Sequence, residues 1–419
     1  MLARRLRPFT TTIFSEMSEL AVATGSLNLG QGFPDTDGPA ELARVAADAI
    51  VAGRNQYPPS QGTPELRAAV AAHQASWYGL DFDPENQVLV TTGATEAIAA
   101  SLLALCEPGD EVVMFEPSYD SYAACASMAG ATPRLVRLHQ PDWSFDPDEL
   151  AAAVGPRTRL VLLNTPHNPT GKVFGPAELA QIADLCCTHD LLAVTDEVYE
   201  HLVFDGTHVP LATLPGMAER TVSISSGGKT FSFTGWKVGW VTGPASLVSA
   251  VRAAKQFLTY TSGAPFQLAI AHGLSGAPDV INQLGTELKA KRDLFCDGLA
   301  GLGFTVHRPA ATYFATTDIA TVAPGMHAYD FCRELPQRCG VVAIPSSVFY
   351  GAGTGVTGNA AAGADATARP DATATAGLDA TATADATAGA TAGQTLVRWA
   401  FCKRVDVLEE ALTRLAAWD

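Results

Sequence analysis

From about residue 64 onward, short β-branched runs take turns with stretches of helical spacing. "QVLVTTG" (87–93), "EVVMFEP" (111–117), "RLVLLNTP" (159–166), "LLAVTDEVY" (191–199) and "TVSISSG" (221–227) stay apolar up to a polar end. A strand buried on both faces reads this way, because it has no solvent face to alternate with. Between them, "TEAIAASLLALC" (95–106) and "PAELAQIADLCC" (176–187) space their apolar residues helically, the second with Pro176 suited to a first turn. This alternation predicts an α/β fold, a mostly parallel sheet with helices on both faces. Ligands in such sheets bind beyond the carboxyl ends of the strands, so the residues that close each run are the ones to inspect.

From about residue 286 the pattern changes to a long charged helix, "TELKAKRDLFCDGLAGLG", followed by shorter strands around "TYFATTD" and "GVVAIPSSVFY". A smaller α/β domain is expected over 286–419, with the N-terminal segment 1–40 packed against it and 41–285 forming a large domain. Residues 351–393 interrupt the smaller domain: "DATA" recurs at Asp365, Asp371, Asp379 and Asp385, and only Val356 and Leu378 are larger aliphatic residues. So little apolar surface cannot offset the entropy of ordering, and a disordered insertion in a surface loop is expected. The glycine-rich nonapeptide of calcium-binding repeats is absent from it.

With 419 residues, 47% of them hydrophobic and 17% charged, the chain has the balance of a soluble globular enzyme. Its formal charge of -16 argues against nucleic acid and anionic membrane surfaces as partners, and no basic, aromatic-interleaved stretch offsets it. The eight cysteines form no paired CxxC set, which fits reduced, buried thiols in a cytoplasmic protein. Three arginines near the start suit a transit peptide, but Glu16 and Glu19 follow closely, and no run of membrane-spanning length is present.

The strand ends supply unlike polar groups: Asn168 in "NTPHNPTG", Asp196 and Tyr199 in "VTDEVYEHL", backbone amides in "TTGATEA", and Ser226 and Lys229 in "SSGGK". "GGKT" resembles the end of a P-loop, but Ser223 stands where that loop needs its first glycine. Ser226-x-x-Lys229 resembles the serine and lysine of penicillin-binding enzymes, without their partner motifs. Singly, each residue has an ordinary reading: Asn168 capping a turn, Asp196 capping a helix, Tyr199 in the core, Lys229 solvated. Together they match what pyridoxal phosphate needs: an amine for the aldehyde, a carboxylate for the pyridine nitrogen, donors for the ring oxygen and a helix N-terminus for the phosphate.

Eight strings in order, "LNLGQGFPD", "NQYPPSQGTPELR", "GATEA", "EPSYDSY", "NTPHNPTG", "TDEVYEHLVFD", "SSGGKTFSFTGWKVGW" and "VRWAFCK", resemble the class I/II aminotransferases of the fold-type I pyridoxal phosphate family. The resemblance spans essentially all of the chain except the "DATA" insert. It implies a homodimer in which Lys229 is the Schiff-base lysine and proton shuttle, Asp196 pairs with the ring nitrogen, and Asn168 and Tyr199 bind the ring oxygen. It further implies that Tyr119 stacks on the ring, that Ala94, Thr95, Ser226 and Lys237 bind the phosphate, and that Tyr57 reaches the phosphate of the neighbouring subunit. Arg398 would grip the substrate α-carboxylate, assisted by Gly32 and Asn168. Lys237 stands where many relatives use arginine, and Ala311 where glycine is frequent, which would narrow the pocket near Tyr313.

Within the family the strings are most similar to the kynurenine and methionine aminotransferase group, and within it to the actinobacterial N-succinyldiaminopimelate aminotransferase branch. That similarity implies ping-pong amino transfer to a 2-oxo acid such as 2-oxoglutarate. A succinylated substrate would need a second cation, for which Lys255 and Arg252 are candidates. Kynurenine, glutamine or methionine transamination stays open, as does β-elimination from cysteine conjugates on the same residues. A cofactor-sensing regulator would need a DNA-binding module, for which the segment before Tyr57 leaves no room.

Overall fold

The computed structural model describes residues 3–9, 12–276, 278–351 and 393–418. The expected disordered insert therefore lies outside the described residues, apart from Gly351 and Gly393 at its ends.

Thirteen strands are described. They are β1 (Leu27–Asn28), β2 (Val88–Thr91), β3 (Glu111–Glu116), β4 (Thr132–Arg137), β5 (Thr158–Asn164), β6 (Leu192–Asp196) and β7 (Thr221–Ser226). Then follow β8 (Gly239–Thr242), β9 (Thr305–His307), β10 (Phe314–Asp318), β11 (Val341–Val342), β12 (Ile344–Pro345) and β13 (Leu396–Ala400).

Seven of them form one sheet in the order β2-β8-β7-β6-β5-β3-β4. β8 runs antiparallel to both of its neighbours, while the pairs from β7 to β4 are parallel. The expected mostly parallel α/β sheet is thus present, and each of the five runs contains one of its strands. β2, β3 and β7 are buried along their whole length, as strands sandwiched between helices must be. One face packs on the helices Gly93–Leu105 and Ala245–Lys255; the other packs on Pro176–Thr188 with Trp143 and Phe145.

A second core gathers β10 to β13 around the helices Asp279–Gly301, Ala328–Cys339 and Val405–Leu415. The start of the chain joins it: β1 pairs in parallel with β11, Leu27 opposite Val341, and Met17 of the helix Ile13–Thr24 is buried in the same cluster. The charged helix begins seven residues before the charged run, at Asp279, because "DVINQLG" continues the helix without a strong apolar stripe to announce it.

The five strands joined by parallel pairs, β7, β6, β5, β3 and β4, end at one edge. Asn164 and Asp196 are register partners, and the Asn164 Nδ2 donates to the Asp196 carbonyl at 2.8 Å. β2 lies beside the antiparallel β8, so it points the same way as β7 and delivers the helix Gly93–Leu105 to the same edge. At that junction a Cβ on Gly239 would stand 2.9 Å from the Ala94 nitrogen, so only glycine lets β8 pass the helix start this closely. All eight cysteines are unpaired, seven buried and Cys187 exposed. Among the described residues no helix is long and apolar enough to cross a membrane.

Candidate active site

A cavity of about 290 Å³ opens at that edge. Of the residues given a role toward the cofactor or the substrate α-carboxylate, all but Tyr57 line it: Gly32, Ala94, Thr95, Tyr119, Asn168, Asp196, Tyr199, Ser226, Lys229, Lys237 and Arg398. Tyr57 is 84% exposed and packs edge-on against Tyr260 at 5.8 Å between ring centroids.

Lys229 sits on a single helical turn, Gly227–Thr230, directly after β7. Its Nζ donates to the Tyr313 hydroxyl at 2.6 Å, and that hydroxyl donates to the Gly32 carbonyl at 2.7 Å. Burial strips the ammonium of water and brings its pKa down to about 8, with the Asp196 charge acting the other way. Asp196 closes β6. Its Oδ2 accepts from the Tyr122 hydroxyl at 2.6 Å and its Oδ1 from the Val198 N–H at 3.4 Å. Burial raises this carboxyl to about 6, and the Tyr122 hydrogen bond holds it from rising further.

Asn168 is fixed from beneath, its N–H donating to the Asn164 side-chain oxygen at 2.7 Å. Its own Oδ1 accepts from Arg398 Nη1 at 3.1 Å, while Arg398 Nη2 donates to the Gly30 carbonyl at 2.8 Å. Arg398 comes from β13, is 1% exposed, and lies over the Phe314 ring at 4.1 Å. Its Nε is buried without a partner. Burial pulls its pKa down to about 10, opposed by Tyr199 and Tyr313. Tyr199 stands edge-on to Tyr313 at 5.3 Å, and burial raises its phenol. Tyr119 packs edge-on to Tyr122 at 5.6 Å, its hydroxyl pushed up to about 12 by burial and then by Asp120.

Lys237 adopts a left-handed φ of 54°, and a Cβ on Gly93 would lie 3.3 Å from its Nζ, which places the amine beside the helix start that carries Ala94 and Thr95. The charged lining residues are Lys229, Lys237 and Arg398 against Asp196 alone. A chain of net charge -16 therefore keeps a cationic cavity, suited to an anionic ligand.

Three expectations need correction. Lys255 is not a cavity cation: it is buried and donates to the carbonyls of Ser60 and Tyr260 at 2.7 and 2.6 Å. Arg252 does not line the cavity. Ala311 is not among the residues that line it either; its N–H donates to the Gly171 carbonyl and it forms a bridge with Val203. Conversely, the sequence did not single out Tyr122, the Lys229 partner role of Tyr313, or the aromatic walls Phe14, Phe33 and Phe314. Tyr122 could have been marked by its place in "EPSYDSY", three residues after Tyr119 on the turn that opens a helix.

A family model described as aminotransferase class I and II matches residues 24–361. The chain is 47% identical to a probable N-succinyldiaminopimelate aminotransferase of Mycobacterium tuberculosis, covering 99% of this chain and 98% of that protein. It is 40% identical to the methionine aminotransferase of Escherichia coli K12 over 82% of this chain and 89% of that one. The solved structure of N-succinyldiaminopimelate aminotransferase from Mycobacterium tuberculosis superposes with a TM-score of 0.88 at 46% identity, covering 100% of both chains.

Proposed function

Because the chain belongs to the class I and II aminotransferases, we propose that its cavity holds pyridoxal 5′-phosphate and serves ping-pong transfer of an amino group from an amino acid to a 2-oxo acid. The donor set fits that group: an amine of lowered proton affinity, a buried carboxylate, and two further cations, one with an unpartnered Nε. When bound, the cofactor supplies an aldehyde for covalent attachment and a ring that accepts electrons.

Lys229 holds the cofactor through its amine. With the substrate amine in its place, Nζ in its neutral form would accept the α-proton and return it, and the burial that lowers its pKa to about 8 favours that form. Asp196, steadied by Tyr122, keeps a negative charge where the ring nitrogen must stay protonated. Asn168 and Tyr199 serve the ring oxygen, and Tyr119 covers a ring face. The amides of Ala94 and Thr95 at a helix start, with Ser226 and Lys237, take the phosphate. Arg398 grips the α-carboxylate in a two-pronged pair, assisted by the Gly32 backbone and by Asn168, which already aligns its guanidinium. Tyr57, exposed on its own protomer, completes the phosphate site of a second copy in a homodimer.

In this reading a small domain spans 286–419 with the segment 1–40 against it, a large cofactor-binding domain spans 41–285, and the location is cytoplasmic. The donor that the mycobacterial relative supports is N-succinyldiaminopimelate, and the acceptor proposed with it is 2-oxoglutarate. A second reading, methionine or another apolar donor, is favoured by the walls of Phe14, Phe33 and Phe314, with no further lining cation among the described residues. The observation that carries the reading is the meeting of Lys229, Asp196, Asn168 and Arg398, from four strand regions, in one cavity. The test is the visible absorption of the purified protein on titration with a panel of amino donors. A donor that bleaches the band, with 2-oxo acid restoring it, supports amino transfer and ranks the substrates. A band that no donor changes, or release of pyruvate, ammonia and the free thiol from a cysteine conjugate without bleaching, overturns it.

A further inference from the structure

Beneath the turn that carries Tyr199 lies a second polar cluster. His73, on the helix Pro64–Tyr78, is 2% exposed and brings its Nε2 to 2.8 Å from His201 Nε2. The two rings are nearly perpendicular, at 83°. Glu200 presents a carboxylate oxygen to both, the three ligand atoms lying within 4.8 Å of one another. Glu200 is 5% exposed; its Oε1 accepts from the Ser225 hydroxyl, whereas Oε2 is buried with no hydrogen-bond partner. The Tyr78 hydroxyl and His208 also face this carboxylate, but among the described residues no lysine or arginine forms an ion pair with it, and a buried carboxylate is costly unless a cation meets it.

Two imidazoles and one carboxylate are a donor set for zinc-like cations, leaving a fourth position for water. We propose that His73, His201 and Glu200 bind one divalent transition-metal ion, which clamps the helix Pro64–Tyr78 to the turn after β6. With metal–nitrogen bonds of about 2.0–2.1 Å, tetrahedral geometry separates two nitrogens by about 3.3 Å, so the rings part by about 0.5 Å on binding. His201, half-buried in the turn, supplies that movement. The Gln74 amide lies 3.4 Å from His73 Nδ1; turned with its oxygen toward the ring, it fixes the tautomer that leaves the Nε2 lone pair for the ion.

The experiment is equilibrium dialysis of the holoenzyme against zinc chloride, then metal analysis, with H73Q, E200Q and H272Q alongside. His272 pairs with Glu41 on the surface and controls for adventitious histidine binding. One equivalent of zinc retained by the wild type and by H272Q, and lost from H73Q and E200Q with their dichroism spectra unchanged, is the expected result. A melting temperature raised by zinc over chelator in the wild type and unmoved in both variants is expected with it. Substoichiometric zinc in the wild type, or equal retention in H73Q and E200Q, shows a hydrogen-bonded pair only and overturns the proposal.

Discussion

Replacing Arg398 tests the substrate end of the cavity. Its guanidinium is held by Asn168 and Gly30 and rests on Phe314, so its orientation is set before any substrate arrives. Removing one member of a buried ion pair costs about 3–5 kcal/mol. Arg398→Gln should therefore lower kcat/KM by roughly 150- to 5,000-fold. Arg398→Lys keeps a charge but not the fork and should fall between the variant and the wild type. The assay is the rate at which an amino donor bleaches the cofactor band in a single half-reaction. It is run in parallel with a primary amine that lacks the α-carboxylate, because coupling between arginine and carboxylate appears only as a difference of differences. The variant should react with that amine as slowly as the wild type does. A loss below tenfold with the amino acid, or an equal loss with both amines, would refute the carboxylate-binding role.

Three further outcomes follow from the geometry. Tyr122→Phe removes a hydrogen bond to a charged group, worth about 1.5–3 kcal/mol, so the Asp196 carboxyl should rise by about 1–2 pH units above its present value. The pH below which the cofactor-free protein loses affinity for pyridoxal phosphate should move up by that amount, and an unmoved acid limb contradicts it. Lys229, at about 8, is protonated below that pH and neutral above it, so cofactor uptake should quicken about tenfold from pH 7 to pH 9 and then level off; a rate that is flat over this range, or still climbing near pH 10, counts against the lowered value. Tyr57→Phe should weaken cofactor retention by roughly 10- to 150-fold, the loss of one hydrogen bond to a charged phosphate, while sedimentation still shows a dimer; unchanged affinity removes Tyr57 from the site.

The strands and their polar ends were legible because burial on both faces leaves continuous apolar runs that stop where the chain turns. β4 was not, since it is the edge of the sheet and its "TPRLVR" side chains are mostly half-exposed or exposed. β8 is four residues long and reads as part of a glycine-rich return; its antiparallel direction depends on a tertiary pairing. In the cavity, single residues could be named from the sequence but their partners could not. Tyr122 meets Asp196 across 74 residues of chain, and Tyr313 meets Lys229 across 84. Lys255 shows the converse: its charge is visible in the sequence, but one of the two carbonyls that occupy it, that of Ser60, comes from 195 residues away, while the other is that of the nearby Tyr260.

The central claim is that Lys229 carries the cofactor. Borohydride reduction of the cofactor-loaded protein, followed by proteolysis and mass mapping, tests it directly. The account predicts the added mass on the peptide that contains Lys229 and on no other lysine. Label on Lys237 or Lys255 with Lys229 unmodified, or no label on a protein that binds the cofactor, would contradict it.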